Sequence, residues 1–81
     1  MKALPIMHET LTDLIEASFR IAWDYLEATG EIGDPNVTAG HLLDTIENLI
    51  RRGERRRLML ANKAIAAYQN FRAEQALSLA S

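Results

Sequence analysis

The chain has 81 residues, of which 48% are hydrophobic and 25% charged, and its formal net charge is −2. This composition is typical of one small globular domain and excludes a disordered chain. The absence of cysteine excludes disulfides, thiolate metal sites and thiol catalysis. Because a core this small is marginal, we expect association with a second copy or with a partner.

The beginning of the chain does not have the pattern of a targeting signal. Residues 1–8 contain a single lysine, Pro5 and no apolar h-region, and Glu9 follows directly. Nowhere does an apolar run approach the ~18 residues of a membrane-spanning helix. We expect residues 1–81 to form one cytoplasmic domain, with residues 1–8 flexible and residues 80–81 frayed.

The charges are distributed unevenly along the sequence. Residues 1–50 contain nine acidic and two basic side chains, whereas residues 51–81 contain seven basic and two acidic ones. Such a division indicates either a basic surface for an acidic partner or two halves that neutralise each other.

The first helix is predicted at about residues 10–29. Its apolar side chains cover an arc of roughly 200°, which is wider than the ~100° stripe of a helix packed on one neighbour. We therefore expect this helix to contact either two other helices or a second copy of the chain. The residues of the arc are Leu11, Leu14, Ile15, Phe19, Ile21, Ala22, Trp23, Tyr25 and Leu26.

The second helix is predicted at about residues 36–52. Gly30 is suited to the left-handed cap that ends the first helix, and Asp34 and Pro35 are suited to the N-cap and first position of the second. Thr38 is a competing N-cap one turn later. The core face of this helix is predicted to consist of Leu42, Leu43, Ile46, Leu49 and Ile50.

The third helix is predicted at about residues 56–79. Beyond Phe71 its apolar stripe thins, so we expect the last turns to fray or to meet a partner. The many alanines favour helix formation and close packing. The core stripe is predicted to consist of Leu60, Ala61, Ala64, Ala67, Tyr68 and Phe71, flanked by Leu58 and Ile65.

The connection between the second and third helices is open to two interpretations. The heptad-like register of the second helix continues through Gly53 into the third, which is typical of one long coiled-coil strand. An interior glycine, however, costs ~1 kcal/mol relative to alanine, and a single helix of that length is unusual in a small domain. We predict a break at Gly53, with one continuous helix as the alternative. Since no segment alternates like a strand, the predicted fold is an all-α three-helix bundle.

Five arginines cluster around that glycine. We favour a structural role, either as a solvated corner or as partners of the carboxylates in helices 1 and 2. The alternatives are contact with an acidic protein or with nucleic-acid phosphates, since guanidinium groups match phosphate oxygens. The negative net charge does not favour nucleic acid. The candidate residues are Arg51, Arg52, Arg55, Arg56 and Arg57.

The sequence predicts no metal site. His41, Asp44 and Glu47 follow one another at single helical turns, and only His8 and Glu9 offer further ligands of this type. A metal site needs three or four convergent ligands. His41 is therefore expected to lie at the polar boundary of helix 2, and no metal or cofactor is predicted.

The sequence predicts no catalytic site either. Ser18 is expected on the buried face of helix 1 without an adjacent base, so a nucleophile–base pair is not indicated. Carboxylates such as Asp13 and Glu16 fall on an exposed face, which lacks the burial that acid catalysis by a carboxyl group requires. The glycines do not form a phosphate-binding loop. We expect a protein that is not an enzyme.

Trp23 lies at the margin of the apolar arc, where a large aromatic residue often contributes to an interface. Together with the width of the arc, this predicts a homodimer that uses helix 1 and part of helix 3. We predict a small non-catalytic interaction or adaptor protein that acts by self-association and partner binding. Nucleic-acid binding through residues 51–57 is the alternative. The candidate interface residues are Phe19, Trp23, Tyr25, Leu26, Tyr68 and Phe71.

Overall fold

A computed structural model describes residues 10–80 of the chain. Three α-helices account for most of this range: α1 (Leu11–Ala28), α2 (Pro35–Arg51) and α3 (Arg57–Ala80). There is no strand between residues 10 and 80, so the predicted all-α fold is confirmed. Each predicted helix boundary differs from the observed one by a single residue. The expectations for residues 1–8 and for Ser81 lie outside the described range, and Ala80 is the last residue of α3.

Side chains cap the starts of α1 and α2. Thr10 Oγ1 accepts a hydrogen bond from the backbone N–H of Asp13 at 3.0 Å. Asp34 Oδ1 accepts from the N–H groups of the second and third residues of α2 at 2.9 and 3.2 Å. Pro35 occupies the first position, where its missing N–H removes no bond. The prediction of Asp34 as N-cap and Pro35 as the following residue is confirmed.

The end of α1 is formed by Gly30, which has a positive φ of 72°. The N–H of Gly30 donates to the carbonyl of Glu27 at 3.2 Å, and the N–H of Glu31 donates to the carbonyl of Leu26 at 2.8 Å. These two bonds form the Schellman arrangement, which satisfies helix carbonyls that would otherwise lack a donor.

The same arrangement ends α2 at Gly53, whose φ is 105°. Here the N–H of Gly53 donates to the carbonyl of Ile50 at 2.9 Å, and that of Glu54 donates to the carbonyl of Leu49 at 3.0 Å. The break predicted at Gly53 is confirmed. The alternative of one continuous helix is wrong, because the chain turns here and restarts as α3 at Arg57.

Each of the three helices contacts both of the others. These two neighbours cover most of the wide apolar arc of α1, but Leu11 and Tyr25 of that arc remain 51% and 47% exposed. Ser18, buried together with Ala22 on α1, donates its hydroxyl hydrogen bond to the carbonyl of Leu14 at 2.7 Å. Small buried residues on α1 and α3 allow close packing of these helices. The buried apolar residues are Leu14, Ala22, Leu26, Leu42, Ile46, Ile50, Leu60, Ala61, Ala64 and Tyr68.

α3 is longer than its two neighbours, with 24 residues against 18 in α1 and 17 in α2. At 1.5 Å per residue, the difference is roughly 10 Å of helix. All residues from Arg72 to Leu79 are exposed. The last two turns of α3 therefore extend beyond the packed part of the bundle as regular helix, although the sequence allowed them to fray.

Candidate interaction surfaces

The hydroxyl of Tyr68 joins three parts of the fold at the end of the bundle that contains the α1–α2 loop. The Tyr68 side chain is 1% exposed. Its oxygen accepts hydrogen bonds from the N–H of Gly33 at 3.2 Å and from Arg72 Nη1 at 3.0 Å. It lies 2.8 Å from Thr38 Oγ1 and 3.3 Å from the carbonyl oxygen of Glu31. One phenol group thus connects the loop, the first turn of α2 and the middle of α3.

Two further contacts fasten the loop to α3. Arg72 Nη1 donates to the carbonyl oxygen of Glu31 at 2.7 Å, and Gln69 Nε2 donates to Glu31 Oε1 at 2.8 Å. The bond from Gln69, then one from Thr29, and the positive charge of Arg72 lower the pKa of the Glu31 carboxyl despite some loss of solvation. Burial raises the pKa of the Tyr68 phenol, but hydrogen bonds from Thr38, Arg72 and Gly33 outweigh it and lower the pKa.

Two of the predicted interface residues therefore belong to the interior of a single chain. Leu26 is fully buried at the end of α1, and Tyr68 is held in the network just described. Neither side chain is accessible to a partner. Sequence periodicity placed both on apolar faces correctly but did not distinguish a core position from an interface position.

The arginine corner, residues 51–57, is held together by its own contacts. Arg55 Nη1 donates to the carbonyl oxygen of Ile50 at 2.6 Å and to that of Glu54 at 2.9 Å. The first bond satisfies a carbonyl at the C-terminus of α2, where a cation also complements the helix dipole. Arg56 Nε forms an ion pair with Glu54 Oε2 at 3.0 Å.

Glu54 is the centre of this corner. Its Oε2 also accepts hydrogen bonds from the backbone N–H groups of Arg55 at 3.2 Å and Arg56 at 3.0 Å. The side chain of Arg56, followed by these backbone donors, lowers the pKa of the Glu54 carboxyl to about 2. The Glu54 carboxylate therefore stabilises the turn between α2 and α3 through contacts with the two residues that directly precede α3.

These contacts change the interpretation of the arginine cluster. Arg55 and Arg56 bind groups of the corner itself, and not the carboxylates of α1 and α2 that the sequence suggested. The side chains of Arg51 and Arg52 are exposed and make no hydrogen bond or ion pair with the described part of the chain. Arg57 is exposed as the first residue of α3. If this cluster bound phosphate, two of its five arginines, Arg55 and Arg56, would already be engaged in contacts within the turn.

The aromatic pair of α1 lines a shallow groove. Phe19 and Trp23 stack with ring centroids 5.6 Å apart, and both are half-buried against the core. The groove has a volume of about 420 Å³, and its other lining residues are Glu16, Arg20 and Asp24. All five residues belong to one helix, so the groove is a depression on the surface of α1 with a charged border.

His41 has a more apolar environment than its sequence position suggested. Its ring centroid lies 4.1 Å from that of Phe71 and 6.2 Å from that of Tyr68. The Nδ1 atom is buried and has no hydrogen-bond partner within residues 10–80. His41 is thus a half-buried packing residue between α2 and α3.

No three His, Asp or Glu side chains of residues 10–80 converge to hold a metal ion. His8 and Glu9, the other residues that the sequence offered as ligands, lie outside this range. Within the same range, no helix has the length and apolar character needed to cross a membrane.

The side of α3 opposite its buried residues carries an uncharged stripe, which the exposed sides of α1 and α2 lack within residues 10–80. Its residues are exposed and uncharged, and they follow one another at spacings of four or three residues along the helix. The charged residues of α3, which are Arg57, Lys63, Arg72 and Glu74, lie elsewhere on its circumference. We call this surface the outer face of α3, and it consists of Leu58, Asn62, Ala66, Asn70, Ala73 and Leu77.

Sequence periodicity had not indicated this face, because four of its six residues are alanine or asparagine. The signal that could have identified it is the absence of charge along one side of a helix whose opposite side is buried. Comparison with protein family models, with curated proteins and with solved structures finds no match to this chain.

Proposed function

We propose that the protein is a non-catalytic helical interaction module that acts by self-association, and that α3 carries the dimer contact. The observation that supports this proposal is the outer face of α3. Leu58 near the start of the helix is 62% exposed, and Leu77 near its end is 71% exposed. Removing such leucines from water is favourable by up to about 1.5–3 kcal/mol each.

The exposed surfaces of the other two helices are less suited to this role. The exposed side of α1 carries Asp13, Glu16, Arg20, Asp24 and Glu27, and that of α2 carries Asp44 and Glu47. Acidic residues are in the majority on both surfaces, so two copies meeting through either one would bring mainly carboxylates together, which is unfavourable at close distance. The centre of a protein interface is depleted in charged residues. Among the three helices, only the outer face of α3 has this character within the described range.

The projecting end of α3 supports the same assignment. A helix segment without packed neighbours is marginal in water, because helical stability in proteins comes mainly from packing. The last two turns contain the exposed Leu77 and Leu79 and a single charged residue, Glu74, beyond Arg72. A second helix lying along α3 would cover these turns. The proposed contact therefore differs from the one predicted on helix 1 and part of helix 3, although both lead to a homodimer.

The proposal is tested by placing a charge at the centre of the outer face. Ala66→Glu adds a carboxylate at an exposed helical position, so the monomer is expected to keep its helicity by circular dichroism. Native mass spectrometry should show a dimer for the wild-type chain and mainly monomer for Ala66→Glu. Thr12→Glu, on the exposed side of α1, is the matched control and should remain dimeric. Equal dimer fractions for both variants would exclude the outer face of α3 as the contact.

A further inference from the structure

We infer that the two copies pair through antiparallel α3 helices, with Lys63 of one chain next to Glu74 of the other. This inference rests on the proposed self-association and adds the orientation and register of the contact. It follows from the order of residues along the outer face and from the position of the two charges beside it.

The outer face is self-complementary when its direction is reversed. In a dimer with two-fold symmetry, every contact occurs twice with the roles of the two chains exchanged. Reversal places the leucine of the first turn against the leucine near the last turn, and each asparagine against an alanine. The pairs are Leu58 with Leu77, Asn62 with Ala73, and Ala66 with Asn70.

This pairing is sterically reasonable because a longer polar side chain always faces a small one. Two asparagines placed opposite each other would hold the helices apart at the centre, whereas alanine leaves room for the amide. A polar residue in a helix–helix contact also specifies register at some cost in stability. The leucines at both ends supply the apolar contact, and the asparagines select one register among several.

The charges beside the outer face agree with the same register. Lys63 and Glu74 are exposed and lie about three helical turns apart, so both are on the same edge of α3. In an antiparallel two-fold pair, this edge of one helix meets the same edge of the other. The register that joins Leu58 to Leu77 brings Lys63 of each chain beside Glu74 of its partner. The dimer then has two ion pairs, each between a lysine and a glutamate.

A parallel arrangement lacks these complementary features. In a parallel two-fold pair, the edge of α3 that carries Lys63 and Glu74 meets the opposite edge of the other helix, so these two residues of one chain do not face those of the other. Asparagine would also be set against asparagine at both positions. The observed sequence of the face therefore favours the antiparallel pair.

Charge reversal tests the ion pairs. In Lys63→Glu both pairs become carboxylate–carboxylate contacts, and in Glu74→Lys both become ammonium–ammonium contacts. Each single variant should raise the dimer Kd about tenfold, and the double variant should restore it towards the wild-type value. In a parallel dimer, Lys63 and Glu74 of one chain do not face those of the other, so an unchanged Kd for both single variants would overturn the inference.

Cysteine cross-linking tests the orientation independently, since the natural chain has no cysteine. Chains with Leu58→Cys and chains with Leu77→Cys, distinguished by isotopic mass, are mixed and oxidised. The antiparallel register predicts disulfides between the two kinds of chain. Disulfides confined to identical chains would overturn the inference while the proposed self-association stands. A wild-type chain that is monomeric would overturn both.

Discussion

The oxygen of Tyr68 lies 2.8 Å from Thr38 Oγ1, and this contact joins α3 to the first turn of α2 inside the bundle. Thr38 Oγ1 is also 2.9 Å from the carbonyl oxygen of Asp34, the residue that caps α2. Since a hydroxyl has one proton, Thr38 either shares its hydrogen bond between these two acceptors or donates to Asp34 and accepts a hydrogen bond from the Tyr68 hydroxyl. The cap of α2 and the middle of α3 are thus linked by two side chains.

Removing the Tyr68 hydroxyl should weaken the fold. Tyr68→Phe removes the acceptor of the Gly33 N–H and one of the two oxygen partners of both Thr38 Oγ1 and Arg72 Nη1, and leaving a donor without its partner costs about 1–3 kcal/mol. Urea denaturation should show a loss of stability of this size. Tyr25→Phe is the control, because Tyr25 is 47% exposed, and its effect should be within about 0.5 kcal/mol. Equal effects for both variants would show that the network contributes nothing.

Two glycines of the α2 region should respond to alanine in opposite directions. Gly53 has φ 105° and nothing lies within 4 Å of the position that a Cβ would take, so Gly53→Ala costs backbone strain alone, about 1–2 kcal/mol. Gly40 lies inside α2 and also has open space, so Gly40→Ala should stabilise the protein by about 0.4–1 kcal/mol. Thermal denaturation should show a lower Tm for Gly53→Ala and a higher Tm for Gly40→Ala than for the wild-type chain. Stabilisation by Gly53→Ala would mean that α2 and α3 can continue as one helix.

Replacing His41 should stabilise the protein. His41→Phe keeps an aromatic ring against Phe71 and removes the buried Nδ1, which has no partner within residues 10–80. Removing a buried polar atom that has no hydrogen-bond partner should raise the free energy of unfolding by about 1 kcal/mol. The urea midpoint should therefore rise in the variant. A fall in the midpoint would indicate that the imidazole nitrogen has a favourable contact that phenylalanine cannot make.

The corner between α2 and α3 should lose stability in acid. The pKa of Glu54 is about 2 in the fold and 4.5 without its partners, so its contribution is present above pH 4.5 and is lost as the pH falls towards 2. Glu54→Gln lacks this contribution. The difference in unfolding free energy between the wild-type chain and the variant should therefore shrink from pH 4.5 to pH 2. A difference that is constant over this pH interval would show that the ionised Glu54 carboxyl does not stabilise the corner.

Much of the fold could be predicted from the sequence because its signals are local. Asp34-Pro35 begins α2, and Gly30 and Gly53 end α1 and α2, because capping and positive φ depend on the residue itself. The role of Tyr68 was not predictable in this way. Apart from Arg72, its partners come from the α1–α2 loop and from α2, more than 29 residues away in the sequence, and only the packed structure brings them together.

The candidate surfaces were less predictable than the fold. Arg56 was expected either at a solvated corner or beside the carboxylates of helices 1 and 2. It pairs instead with a carboxylate two residues away, which competes more effectively because only a short stretch of chain has to be closed. Leu26 was expected at an interface, yet a bundle of three helices buries the end of α1 as well as its middle. The outer face of α3 was missed because pattern analysis seeks large apolar residues, whereas this face consists mainly of small uncharged ones.

The central claim is that the chain self-associates through α3, and sedimentation equilibrium measures self-association most directly. At high micromolar concentration and moderate salt, the account predicts a mass of twice the 9.1 kDa of one chain, falling towards one chain on dilution. The Ala66→Glu variant should stay near the mass of one chain under the same conditions. A wild-type mass of 9.1 kDa across the whole concentration range would contradict the account.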